Sequence, residues 1–228
     1  MSETVTYVAF PSSDALHEMT QGFIDRMRGG QPRPEPDTIG RIMTTFVDEA
    51  LDAFMVTPAR RTGVSPNILR IINFTTETIS KATAMVVKGT VKKLDLEQNR
   101  KIAEYMDTVR MPFDGVWHIC FPISDALAET ARKGFDLTLE GRRPEGLPYL
   151  LEYYHTMSDE SLRWYFERPI ALLGFGPILR KLTDVGIATT RKATHSMIDN
   201  VIPRLEGEQA RLSAEYGRTL LRPGPRRP

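Results

Sequence analysis

The chain has a single cysteine, Cys120, among its 228 residues. An internal disulfide is therefore excluded, and a reducing, cytoplasmic setting is the expectation. A lone cysteine after the apolar Ile119 reads as a small core side chain. Charge of one sign is equally lacking: 30 basic residues face 29 acidic ones, for a net charge of +1. Nucleic-acid binders usually carry a basic excess or patch, so no nucleic-acid partner is expected. No window approaches eighteen uncharged apolar residues, and the N-terminal MSETVTYVAF has no basic stretch leading into a long apolar run. Neither a membrane span nor a secretory signal is expected. No catalytic, metal or nucleotide motif rises above background, so the sequence leaves any cofactor unknown.

What the chain does have is an ordinary globular composition, 41% hydrophobic and 26% charged, enough for a real core. It also has an echo. FPSSDALHE (Phe10 to Glu18) returns as FPISDALAE (Phe121 to Glu129). At the same offset Pro58, Gly63 and Pro66 fall on Pro169, Gly174 and Pro177. Lys81-Ala82-Thr83 falls on Lys192-Ala193-Thr194, and EQNRKIAEY from Glu97 falls on EQARLSAEY from Glu208. Collinear blocks of this kind are the signature of an internal repeat. Two copies are too few for a solenoid. The expectation is a mainly α fold: a tandem duplication of a ~100-residue four-helix unit, each copy preceded by a short strand or extended leader, packed about a pseudo-twofold axis. Copy one would span 1–111 and copy two 112–221, with 222–228 a disordered basic tail.

Each copy serves as a check on the other. Thr4 to Phe10 and Val116 to Phe121 are β-branched and aromatic runs ending at proline, read as strands that could pair across the axis. Ser13 and Ser124 read as N-caps rather than nucleophiles, opening helices near 13–28 and 124–140. A second helix is predicted near 36–56 and from Pro148, ended by the Pro-x4-Gly-x2-Pro frame. The third helix is the ambiguous one. Its copy-one stretch, rich in Thr, Val and Ile, would also suit a hairpin about Lys88-Gly89, but copy two favours a helix. The predicted buried stripes are Ile68, Ile72, Thr75, Ile79, Ala82 and Val86, and Ile178, Leu182, Val185, Thr189, Ala193 and Met197. Small residues there would let the helices approach closely. A fourth helix is placed near 95–110 and 206–221.

Shared letters report a shared frame, so a single function is sought where the copies part. Glu152 and His155 form a Glu-x-x-His on one helical face, with Asp159 a turn further. Four-helix dimetal sites use two such motifs; here the second is missing, leaving Glu152, His155 and Asp159 as weak metal candidates. In the frame itself, copy one reads PARRTGVSP with Arg60 and Arg61, and copy two reads PIALLGFGP. Ile170, Leu172, Leu173 and Phe175 are therefore candidates for contact with a ligand or partner, together with Tyr149 and Tyr153 of the aromatic half. The favoured expectation is a non-catalytic protein that binds an apolar small molecule or a protein partner, at the inter-repeat axis or at Pro169–Pro177. A homo-oligomer is compatible with this. The alternatives are a peripheral membrane or scaffold protein, and a helix-bundle metalloenzyme built on Glu152, His155 and Asp159.

Overall fold

Thr6, Val8 and Phe10 alternate with Tyr7 and Ala9 along the first strand, and this two-residue period places them on opposite faces of a sheet. The computed structural model describes residues 4–226. Its elements run β1 (Thr4–Pro11), α1 (Asp14–Arg28), α2 (Pro36–Leu51), α3 (Thr57–Thr62), α4 (Pro66–Thr90), α5 (Leu96–Thr108) and β2 (Arg110–Phe113). They continue as β3 (Val116–Ile123), α6 (Asp125–Leu139), α7 (Arg143–Leu162), α8 (Arg168–Leu173), α9 (Pro177–Val201), α10 (Gly207–Thr219) and β4 (Leu221–Pro225). The fold is mainly helical with one small sheet. At an offset of 111 residues α1 falls on α6, α3 on α8, α4 on α9 and α5 on α10.

The sheet order is β2-β3-β1-β4, all antiparallel. The two leader strands pair with one another, with Ala9 opposite Cys120. The edge strands exchange places: β2 closes the first set of elements but pairs with β3, and β4 closes the second set but pairs with β1. The sheet curls enough to bring side chains of β2 against β4. Gly224 on β4 lies so near Met111 and Phe113 of β2 that an added Cβ would stand 2.9 Å from Met111 Cε, so only glycine fits there without displacement. Val8, Phe10 and Phe121 face the helices and are fully buried, each worth about 1.5–3 kcal/mol of transfer free energy. The other face holds a smaller cluster that includes Tyr7, Met111 and the buried Cys120.

Several expectations need correction. The tail predicted to be disordered forms β4 over Leu221–Pro225, because its backbone completes the edge of β1; residues 227–228 lie outside the described residues. Arg110–Phe113, read as part helix end and part connector, is strand β2. α7 begins at Arg143, so Pro148 lies inside it. The Pro-x4-Gly-x2-Pro frame ends the second helix at its glycine and not before its first proline. α2 runs through a π turn (Asp52–Val56) into α3, and α7 runs through a π turn (Arg163–Glu167) into α8. The Thr57 N–H bonds back five residues to the Asp52 carbonyl, and that of Arg168 to Arg163. The wider turn lets the helix pass Pro58 and Pro169, which have no N–H to give. The true stops are Gly63 and Gly174, both left-handed at φ 58° and 61°.

The caps stand as expected: the Leu16 N–H donates to Ser13 Oγ and the Leu127 N–H to Ser124 Oγ. α4 and α9 are both helices. α4 buries Ile68, Ile72, Thr75, Ile79 and Ala82. Over its first half α9 buries Thr183, Gly186 and Thr190 instead of Leu182, Val185 and Thr189, a rotation of one residue from the predicted stripe, whereas Met197 is buried as expected. The inward threonine hydroxyls are satisfied within the helix, Thr183 donating to the Arg180 carbonyl and Thr190 to Gly186. The helix pair approaches closely at small residues: Gly89 meets Leu182, and Gly186 meets Val86.

Candidate functional site

The fourth helix of each set ties the two sets together. The Tyr105 hydroxyl donates to the Trp164 carbonyl, and the Tyr216 hydroxyl donates to the Ala53 carbonyl at 2.8 Å. Gln98 Nε2 donates to the Leu173 carbonyl at 2.6 Å and Gln209 Nε2 to that of Gly63 at 3.1 Å. The residues that repeat in the fourth-helix block therefore anchor each short helix, α3 or α8, onto the opposite set.

Each short helix roofs a cleft. α3 covers the space between α7, α9 and α10, about 810 Å³ including its open mouth. α8 covers the space between α2, α4 and α5, about 550 Å³. Shifted by 111 residues, all but one of the residues lining the second cleft fall on residues lining the first. The roofs differ in bulk. Ile170, Leu173 and Phe175 project into the smaller cleft; Ala59, Thr62 and Val64 occupy the matching positions over the larger one.

The larger cleft has apolar walls with a few hydroxyls. Tyr153 and Tyr154 line one side and Tyr216 another. Burial pushes the Tyr154 phenol up to about 12, opposed by its hydrogen bond with Ser213, and it raises Tyr216 as well. The phenols thus stay neutral, and Tyr216, whose proton goes to the Ala53 carbonyl, can still accept a hydrogen bond. No histidine, cysteine or charged side chain is among the lining residues. The cleft can desolvate an apolar body and orient one polar group on it.

A third space, about 660 Å³, lies between α1, α5 and the β2–β3 edge. The His17 ring stacks on Trp117 at 4.6 Å, and the buried Arg110 guanidinium lies 5.1 Å from the same indole. Burial, then the charge of Arg110, lowers the His17 pKa. Tyr165 also lines this space, and its hydroxyl is buried with no hydrogen-bond partner among the described residues.

The sequence candidates divide accordingly. Tyr153 is buried in the larger cleft. Tyr149 is partly exposed, with Lys133 Nζ 4.3 Å from its ring centroid. Ile170, Leu173 and Phe175 fill the smaller cleft rather than forming an outward tip, and only Leu172 is exposed. Glu152, His155 and Asp159 do not converge. Glu152 points to solvent, His155 Nε2 pairs with Asp199 at 2.8 Å, and Asp159 takes His195 at 3.1 Å and Arg191 at 3.0 Å. Among the described residues no three His, Cys, Asp or Glu side chains are placed to hold a metal ion. Sequence reasoning missed His195 and Asp199. The signal was there: His-x3-Asp occurs in both α7 and α9, and the two motifs cross-pair. It also missed Ala59, Thr62 and Val64, since small residues carry no chemical flag.

The chain matches no protein-family model, no curated protein and no solved structure. Among the described residues no helix is long and apolar enough to cross a membrane.

Proposed function

We propose that the protein binds an apolar small molecule, without catalysis, in the cleft roofed by α3. One observation carries this reading: two clefts built on matching positions differ mainly in their roofs, where Ile170, Leu173 and Phe175 narrow one to about 550 Å³ and Ala59, Thr62 and Val64 leave the other at about 810 Å³. Close packing is the norm in interiors, so an apolar cleft wider than its narrowed twin supports a kept binding space. The ligand expected is largely hydrocarbon or aromatic, with a hydroxyl or carbonyl to meet Tyr154 or Ser213. The same reading takes the two sets of elements as copies of one duplicated unit about a pseudo-twofold axis through Ala9 and Cys120, supported by the sequence echo, the common offset and the exchanged edge strands. In that view one copy's site was closed and the other retained.

The test transplants the filled roof. Ala59→Ile with Thr62→Leu should reduce binding of the neutral fluorescent probe N-phenylnaphthylamine at least tenfold, with the far-UV circular dichroism unchanged. Equal binding by the folded variant would refute the assignment.

A further inference from the structure

The first half of α9 is amphipathic the wrong way round for a helix whose only role is to cover a core, although its last turns bury Met197, Ile198 and Val201. It turns Thr183, Gly186 and Thr190 inward and leaves Ile178 85% and Val185 50% exposed. α4 leaves Phe74 69% and Met85 44% exposed. Single exposed apolar residues are ordinary, but these are aligned. At helical spacing Phe74, Lys81, Met85 and Lys88 share one face of α4. Ile178, Lys181, Val185 and Lys192 share one face of α9. The helices lie antiparallel, Gly89 against Leu182 and Gly186 against Val86, and α2 and α7 pack on α4 and α9 respectively. The two faces therefore form one continuous outer surface.

Charge on this surface is one-sided. α4 with the turn to Lys93, taken with α9, carries nine basic residues against three acidic ones, in a chain whose net charge is only +1; of the nine, Arg191 turns away from this surface to pair with Asp159 and Glu167. Among the described residues no ion pair neutralises Lys88, Lys92, Lys93, Arg180, Lys181 or Lys192, whereas Lys81 pairs with Glu77. The exposed Leu172 sits at the end of α8, just before α9.

We infer that the α4–α9 face docks on an anionic lipid bilayer, with both helices lying in the plane of the surface. Lysines around the rim meet the headgroup charge, and Phe74, Met85, Ile178 and Val185 enter the boundary between headgroups and acyl chains. A nucleic acid would use the lysines but leave four apolar side chains in water; the bilayer uses both. The inference stands apart from the α3-roofed cleft and holds whether or not that cleft is occupied.

The experiment is flotation of the full chain with phosphatidylcholine vesicles, with and without phosphatidylserine, at low and high salt. The expected result is binding only to the serine-containing vesicles, weakened by salt because the attraction is screened within about 10 Å at 0.1 M. Lys92→Glu with Lys93→Glu should weaken it well beyond tenfold, since each lysine near such a surface is worth about a fivefold change in affinity. Ile178→Asn should weaken it with every charge left in place, and it tests insertion separately. Both variants alter exposed positions, and unchanged circular dichroism would establish that they fold. Equal binding to uncharged vesicles, binding to neither, or full binding by Ile178→Asn would overturn the inference. So would tight binding to a duplex oligonucleotide without vesicle binding.

Discussion

Replacing Tyr165 with phenylalanine should stabilise the protein. The Tyr165 side chain is buried at 7% exposure, and its hydroxyl has no hydrogen-bond partner among the described residues. Burial raises its pKa, so the group stays a neutral phenol whose O–H has left water without compensation. An unsatisfied buried polar group costs about 1–3 kcal/mol. Phenylalanine keeps the ring and its edge contacts with Phe46 at 4.9 Å and Phe121 at 5.4 Å. The matching position in the first set is already Phe54. A gain of about 1 kcal/mol is expected, which for a chain of this size raises Tm by about 2–4 °C. Tyr216→Phe is the counter-experiment. Its hydroxyl donates to the Ala53 carbonyl at 2.8 Å, so the same chemical change should cost about 1 kcal/mol. Urea titration followed by circular dichroism measures both, with the slope m unchanged if only the native state is affected. If Tyr165→Phe destabilises as Tyr216→Phe does, the hydroxyl is satisfied and the reasoning fails.

Asn99 is fully buried; it accepts the Glu35 N–H at 2.9 Å and donates to the Asp95 carbonyl at 2.7 Å. Asn99→Ala should cost about 1–3 kcal/mol in chemical denaturation, and a loss below about 0.5 kcal/mol would show that the loop finds other partners. Hydrogen bonds from Arg26, at 2.7 Å to both Glu35 oxygens, hold the Glu35 carboxyl below its ordinary pKa. The contribution of this pair should be present above the ordinary carboxylate range and vanish as pH falls through the lowered value. Comparing Arg26→Gln with the parent should therefore show a stability difference at neutral pH that closes in acid, and a difference independent of pH would contradict it. The roof transplant at Ala59 and Thr62 and the vesicle experiments at Lys92, Lys93 and Ile178 complete the set.

Local signals in the sequence were sufficient wherever the physics is local. The serine caps at 13 and 124, the glycine stops at 63 and 174 and the β-branched runs at 4–10 and 116–121 depend on a few neighbouring residues, and each could be read from them. The helical state of α4 was readable only because its counterpart resolved the ambiguity. Where a partner distant in sequence decides the outcome, reading stopped. Arg222–Pro225 resembles a disordered basic tail, and it becomes a strand because β1 offers an unpaired edge. Pro58 and Pro169 resemble helix ends, and a π turn carries the helix past them. The phase of the first half of α9 was misplaced by one residue because Ile178 and Val185 face outward there, against the usual correlation between hydrophobicity and burial, while Met197 is buried as expected.

By itself, the sequence determined a mainly helical chain with an internal echo, the positions of its caps and stops, and the two stretches where the halves differ. Only the tertiary structure decided what that difference does. Ile170, Leu173 and Phe175 looked like a contact tip, but the cross-set hydrogen bonds of Gln98 and Tyr105 help dock α8 and the adjoining π turn onto the opposite set, so these side chains fill a cleft. Ala59, Thr62 and Val64 carried no signal at all. Empty space is a property of what surrounds a residue, and it exists only once distant elements have packed.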